Sequence, residues 1–73
     1  MEELLDILQD IRDDVDYETE DELVTGKILN SFEILQIVSE LNDAFDIEIP
    51  ASEVIPENFN SVSAMEALIR RLS

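Results

Sequence analysis

The sequence predicts a small all-α protein, a four-helix bundle of three main helices plus a short helix or turn. Three observations predict it. Apolar residues recur at steps of three and four in three separate segments. Residue types that start helices stand directly before two of those segments. Strand signals are weak, no hairpin dipeptide occurs and no internal repeat is visible.

The first helix is expected over residues 2–14. Leu4, Leu8, Ile11 and Val15 form one stripe, widened by Leu5 and Ile7, while Glu3, Asp6, Asp10 and Asp13 face water. Glu2 and Glu3 suit the positive N-terminal end; Asp13 and Asp14 oppose continuation past the negative C-terminal end. A long connection comes next, over residues 15–30. Connections of that length are usually functional or tied down by their own apolar residues, here Leu23, Val24, Ile28 and Leu29. The second helix is expected over residues 31–45, with Ile34, Ile37, Val38, Leu41 and Phe45 turned inward. In the loop over 46–50, alternating Ile47 and Ile49 point to the core. Residues 51–59 suggest one or two short turns, one begun by Pro56. Asn60 or Ser61 then caps a last helix to about Leu72, with Val62, Met65, Leu68, Ile69 and Leu72 inward. Arg70 and Arg71 sit at its end, where cations are favoured.

Size and charge narrow the function. The 73 residues make one domain, 1–73, near the lower size at which a chain folds without staples, and 45% apolar residues supply a small core. Nineteen acids against four bases give a net charge of −15, which argues against binding nucleic-acid phosphates or anionic membrane surfaces. Basic patches on other proteins, or divalent cations, are the natural counterparts. Without cysteine there is no disulfide and no protein thiol, and without histidine the usual general base and commonest metal ligand are missing. No apolar run reaches the length of a membrane span and the acidic start is unlike a signal peptide, so a cytoplasmic monomer is expected.

The segment with most chemical content is Thr25-Gly26-Lys27-Ile28-Leu29-Asn30-Ser31-Phe32. Gly26 permits a positive φ, Ile28 and Leu29 can pin the loop to the core, and Asn30 and Ser31 are helix-starting types. Ser31 is thereby expected at the positive end of a helix dipole, where a phosphate is well tolerated. On a helical wheel Glu33, Gln36, Glu40 and Asp43 oppose the apolar face, Ser39 lies at its edge, Leu35 at the margin, and Phe32 among the polar residues. An aromatic beside the serine, on a charged face, is either an anchor for a partner or a staple folded back on Leu29 or Leu23.

Gly26-Lys27-Ile28-Leu29-Asn30-Ser31-Phe32, the helix after it and the acidic single-domain format resemble the acyl carrier and peptidyl carrier protein family. That family's usual pattern is a glycine, an apolar pair, then Asp-Ser followed by Leu, Met or Phe. The resemblance covers nearly the whole chain, from the Leu4 helix to Leu72. The section from Ile49-Pro50-Ala51-Ser52-Glu53 to Glu57-Asn58-Phe59-Asn60-Ser61 looks closer to D-alanyl carrier proteins than to fatty-acid carriers.

The resemblance implies an acyl carrier protein-like bundle in which a phosphopantetheinyl transferase, using coenzyme A and Mg²⁺, attaches 4′-phosphopantetheine to Ser31. The arm's thiol would carry an acyl or aminoacyl group as a thioester, which accords with a chain that supplies no thiol itself. The carrier would not be an enzyme; a loading ligase or acyltransferase and downstream acyl-processing enzymes would act on its cargo. Their basic docking patches would meet Phe32, Glu33, Gln36 and Glu40. Asn30 departs from the usual Asp and removes a negative charge where the transferase would bind.

Other readings account for less of the sequence. Asp14, Asp16 and Glu18 alternate as in a calcium loop, but Thr19 stands where the sharp-turn glycine belongs and Thr25 where the bidentate Glu should be, so no metal site is expected. Nothing places two carboxylates in a pocket for acid–base work, and so short a chain offers little cavity. An acidic protein-interaction module, or a nucleic-acid mimic without a prosthetic group, remains as the alternative; it explains the charge but not Gly26, Ser31 and Phe32. Cargo is left open. Ile34, Val38 and Leu68 either line a cleft that shelters a chain or are plain core.

Overall fold

The computed structural model describes residues 2–73; Met1, the first residue of the expected domain, lies outside them. Four α-helices and one 3₁₀ turn are formed, and no strand occurs among the described residues. Helix α1 runs Glu2–Ile11, α2 Ser31–Phe45, the 3₁₀ turn Ala51–Glu53, α3 Pro56–Phe59 and α4 Val62–Leu72. The radius of gyration is 10.9 Å, close to the ~11 Å of a compact chain of this length.

Helix α1 ends earlier than the periodicity suggests, at Ile11 and not at Asp14. Asp13 and Asp14 would stand at the negative end of the dipole in a longer helix, which disfavours continuation. The Arg12 N–H still donates to the Leu8 carbonyl at 2.8 Å. The chain then turns, and the Tyr17 hydroxyl takes over as donor, 2.7 Å from the Arg12 carbonyl and 3.1 Å from that of Leu8. A side chain five residues on thus satisfies the Arg12 carbonyl, which a longer helix would have bonded within itself.

Helix α2 has the bounds expected of it. Its end is set by Asp46 in the left-handed region (φ 52°, ψ 49°), a conformation the short Asp side chain tolerates. Asn42 fixes the next segment: its carbonyl accepts from Ile47 N–H at 3.2 Å and its Oδ1 from Ile49 N–H at 3.0 Å. Those two bonds turn Ile47 and Ile49 into the core, where both are buried. Pro56 opens α3 from its first turn. Ser61 proves to be the cap of α4, its Oγ accepting from Ala64 N–H at 3.1 Å. Arg71 bridges Glu53 at 3.0 Å, and Asn58 Nδ2 donates to the Glu53 carbonyl at 2.7 Å, joining α4, α3 and the 3₁₀ turn.

One core serves all four helices. Leu4 and Leu8 from α1, Ile37 and Leu41 from α2, Phe59 from α3, and Met65, Leu68 and Ile69 from α4 meet the loop residues Tyr17, Leu23 and Leu29. Burial of this kind is the main favourable term for so small a chain. It gives a direct contrast on a single helix. Leu41→Ala is expected to cost about 2–5 kcal/mol in denaturant unfolding because its side chain is fully buried. Leu35→Ala, at 62% exposure, should stay within about 0.5 kcal/mol.

Candidate functional site

Residues 12–30 form neither helix nor strand, so the start of α2 is positioned by individual bonds. Leu23 (0% exposed) and Leu29 (3%) anchor the connection in the core. The Leu23 carbonyl accepts from both Ile28 N–H (3.1 Å) and Leu29 N–H (2.8 Å), which closes the segment into a compact turn. Asn60, at the end of α3, holds that turn from outside. Its carbonyl accepts from Leu23 N–H at 3.0 Å, and its Oδ1 from Val24 N–H at 2.9 Å and Thr25 N–H at 3.0 Å.

Gly26 serves this turn, though not by the means expected. No glycine has a positive φ; Lys27 takes the left-handed conformation instead, at φ 60°. Crowding is the reason for glycine: Gly26 N–H donates to the Glu22 carbonyl at 2.7 Å, and a Cβ at Gly26 would stand 2.6 Å from that oxygen.

The first turn of α2 is built by a reciprocal cap. Asn30 is the N-cap: its Oδ1 accepts from Glu33 N–H at 2.8 Å, and Glu33 Oε1 accepts from Asn30 N–H at 3.0 Å. The Asn-x-x-Glu spacing is the sequence mark of that arrangement. Ser31 is consequently the first residue inside the helix, exposed, with its hydroxyl taking no part in the cap. Backbone N–H groups of this turn and the helix dipole favour negative charge beside it.

Phe32 is 71% exposed and Leu35 62%, so the folded-back staple is not formed and the two side chains make an apolar pair facing solvent. Gln36, Ser39, Glu40 and Asp43 are exposed around and below them. Glu33 is a correction to the expected face. Its side chain is only 14% exposed, because its carboxylate serves the cap and pairs with Arg12 Nη1 at 3.3 Å. Phe32, Gln36 and Glu40 therefore share open surface beside Ser31, and Glu33 lies under it.

Three further residues build the site without any motif to mark them. Arg12 reaches across from the end of α1: Nη1 donates to the Ile28 carbonyl at 2.5 Å and to Glu33, while Nε bonds Asp14 Oδ1 at 2.8 Å. The hydrogen bond to Asp14 is the main reason the guanidinium titrates above its usual value and the Asp14 carboxyl below its own. The one sign of it in the sequence is that Arg12 is the lone base before Lys27. Asn60, a candidate cap for α4, instead spends its side chain on the distant loop. Tyr17, within the acidic run, is buried at 4% exposure and closes α1.

Two hollows flank these elements. A groove of about 530 Å³ lies against α1 and α4 and is lined chiefly by Tyr17, Glu18, Glu20, Asp21, Val62 and Glu66. A pocket of about 60 Å³ is walled by Val24, Ile34, Val54, Ile55, Pro56 and Phe59. Of the trio Ile34, Val38 and Leu68, only Ile34 borders it; Leu68 is fully buried core. No group of three acidic side chains that could hold a metal ion forms among the described residues, and none of their helices is long and apolar enough to cross a membrane.

Comparison with known proteins finds no match to a family model, to a curated protein or to a solved structure.

Two measurements check this arrangement. Gly26→Ala is expected to lower stability by about 1–3 kcal/mol in denaturant unfolding, since the Glu22 carbonyl must move to admit a methyl group. Burial pushes the Tyr17 phenol from 10.0 up to about 12. With the folded value raised, its contribution to stability is complete below the ordinary phenol value and is lost as pH climbs from there through the raised value near 12. Tyr17 is the only tyrosine, so its phenolate absorbance should appear later than that of a free phenol and together with loss of helix.

Proposed function

We propose that this chain is an acyl or aminoacyl carrier, with an acyl carrier protein-like bundle that presents Ser31 for covalent attachment of phosphopantetheine. The observation that carries the proposal is the position of Ser31. It is exposed at the first turn of α2, and capping is done by Asn30, so the hydroxyl is left available.

The residues present fit the group. A phosphodiester on Ser31 Oγ would stand at the positive end of α2, among N–H groups that favour an anion. The side chain is accessible to a large modifying enzyme, and the loop that precedes it is fixed by Asn60, Leu23 and Leu29. Bound there, the group supplies the thiol that a chain without cysteine lacks, and with it thioester chemistry. The chain's own part is to hold Ser31 out and to offer a surface. Phe32 and Leu35 give that surface an apolar anchor, while Gln36, Glu40 and Asp43 surround it with polar and negative groups. Such a combination suits partners with a small apolar socket rimmed by basic residues: a phosphopantetheinyl transferase, a loading ligase or acyltransferase, and cargo-processing enzymes. The carrier itself is a cytoplasmic, monomeric, non-catalytic shuttle. The stretch over 49–61, similar to that of D-alanyl carriers, favours an aminoacyl cargo as the finer form of this proposal.

Incubation with coenzyme A, Mg²⁺ and a promiscuous transferase should add one phosphopantetheine mass to the chain, read by intact-protein mass spectrometry. Ser31→Ala should abolish the gain, and a wild-type chain left unmodified by several transferases would overturn the proposal.

A further inference from the structure

The four basic residues are not equivalent. Arg70 pairs with Glu66 and Arg71 with Glu53, both through the C-terminal end of α4. Lys27 is exposed on the loop. Arg12 alone reaches the start of α2, and it does so with several donors at once. Its Nη1 serves the Ile28 carbonyl and the Glu33 carboxylate, and its Nε and Nη2 serve Asp14 at 2.8 and 3.3 Å.

Ser31 lies between the two groups that Nη1 holds, three residues after Ile28 and two before Glu33. Of the two Glu33 carboxylate oxygens, Oε1 is the nearer to Arg12 Nη1, at 3.3 against 3.5 Å, and it also accepts the N–H of Asn30, the residue before Ser31. One guanidinium therefore fixes the loop entering the site and orients the carboxylate that fixes the backbone at its cap. It also sets a positive charge against Glu33, the acid nearest Ser31 in the first turn of a chain of net charge −15. Lysine would not substitute fully, because a single ammonium is a point charge without the planar fork that meets three separate acceptors.

We infer that Arg12 is the positioning residue of the attachment site, holding Ser31 in the orientation from which its hydroxyl accepts a phosphoryl group. The inference rests on the carrier proposal. In that transfer the Ser31 Oγ–phosphorus bond forms as the pyrophosphate bond of coenzyme A breaks. The nucleotide half leaves, and the hydroxyl proton passes to the transferase. Arg12 touches none of these atoms; it acts through Ile28 and Glu33.

The test compares Arg12→Ala, Arg12→Lys and Arg71→Ala in the full chain, with kcat and KM of modification and backbone amide exchange both measured. Arg71→Ala removes an ion pair of similar length at the opposite end and controls for a general loss of stability. Arg12→Ala is expected to lower kcat roughly tenfold with little change in KM, a scale set by the sensitivity of group transfer to small misplacements. Exchange should quicken over residues 28–33 and not in α4. Arg12→Lys, which keeps the charge and guards against a misfolded alanine variant, should recover part of both effects. Arg71→Ala should produce neither. Unchanged kcat and exchange in Arg12→Ala, or a change confined to KM, overturns the inference. A wild-type chain that gains no mass overturns instead the carrier proposal on which it rests.

Discussion

The connection between α1 and α2 is the constraint on which the molecule turns. Residues 12–30 have no helix or strand to satisfy their backbone, and ordering each such residue costs roughly 1–2 kcal/mol of conformational entropy. They are ordered by a short set of ties. Leu23 and Leu29 enter the core, Asn60 accepts three of the loop's N–H groups, and Arg12 and Tyr17 close the two sides of the end of α1. Remove these and α2 still has an amphipathic face, but Ser31 has no fixed place relative to the rest of the bundle.

Charge is handled by the same economy. With nineteen acids and four bases most carboxylates must face water, and none of the described acidic residues is buried. Two of the four cations are placed where elements meet: Arg12 between α1, the loop and α2, and Arg71 between α4 and the 3₁₀ turn. Exposed pairs contribute little singly. Their value lies in choosing which ends come together, and Glu33 shows this best, since one carboxylate is shared between the Asn30 cap and the Arg12 ion pair.

Legibility in the sequence is a matter of range. Periodicity and caps are local, and they place α2 over its full length, α4 from its Ser61 cap, and Ile47, Ile49 and Pro56 in their roles. Periodicity does not find the end of α1, where Tyr17, a residue beyond the helix, takes the Arg12 carbonyl just past it. Gly26 stands out in the sequence, yet its reason does not: the constraint is a contact with the Glu22 carbonyl, which only the folded turn creates, while Lys27 bears the positive φ. Asn60 lies 35 residues from the Thr25 N–H that it accepts, and no spacing rule reaches so far. The Asn30–Glu33 box, in contrast, is encoded in four consecutive residues, and it is what separates the capping role of Asn30 from the free hydroxyl of Ser31.

The exposure of Lys27 has a practical consequence. It is the sole lysine of the sequence, exposed on the turn four residues before Ser31. Amine-directed coupling chemistry therefore reaches a single side chain of this sequence. A fluorophore placed there would sit on the fixed turn that leads into Ser31, apart from the exposed Phe32 side chain on α2.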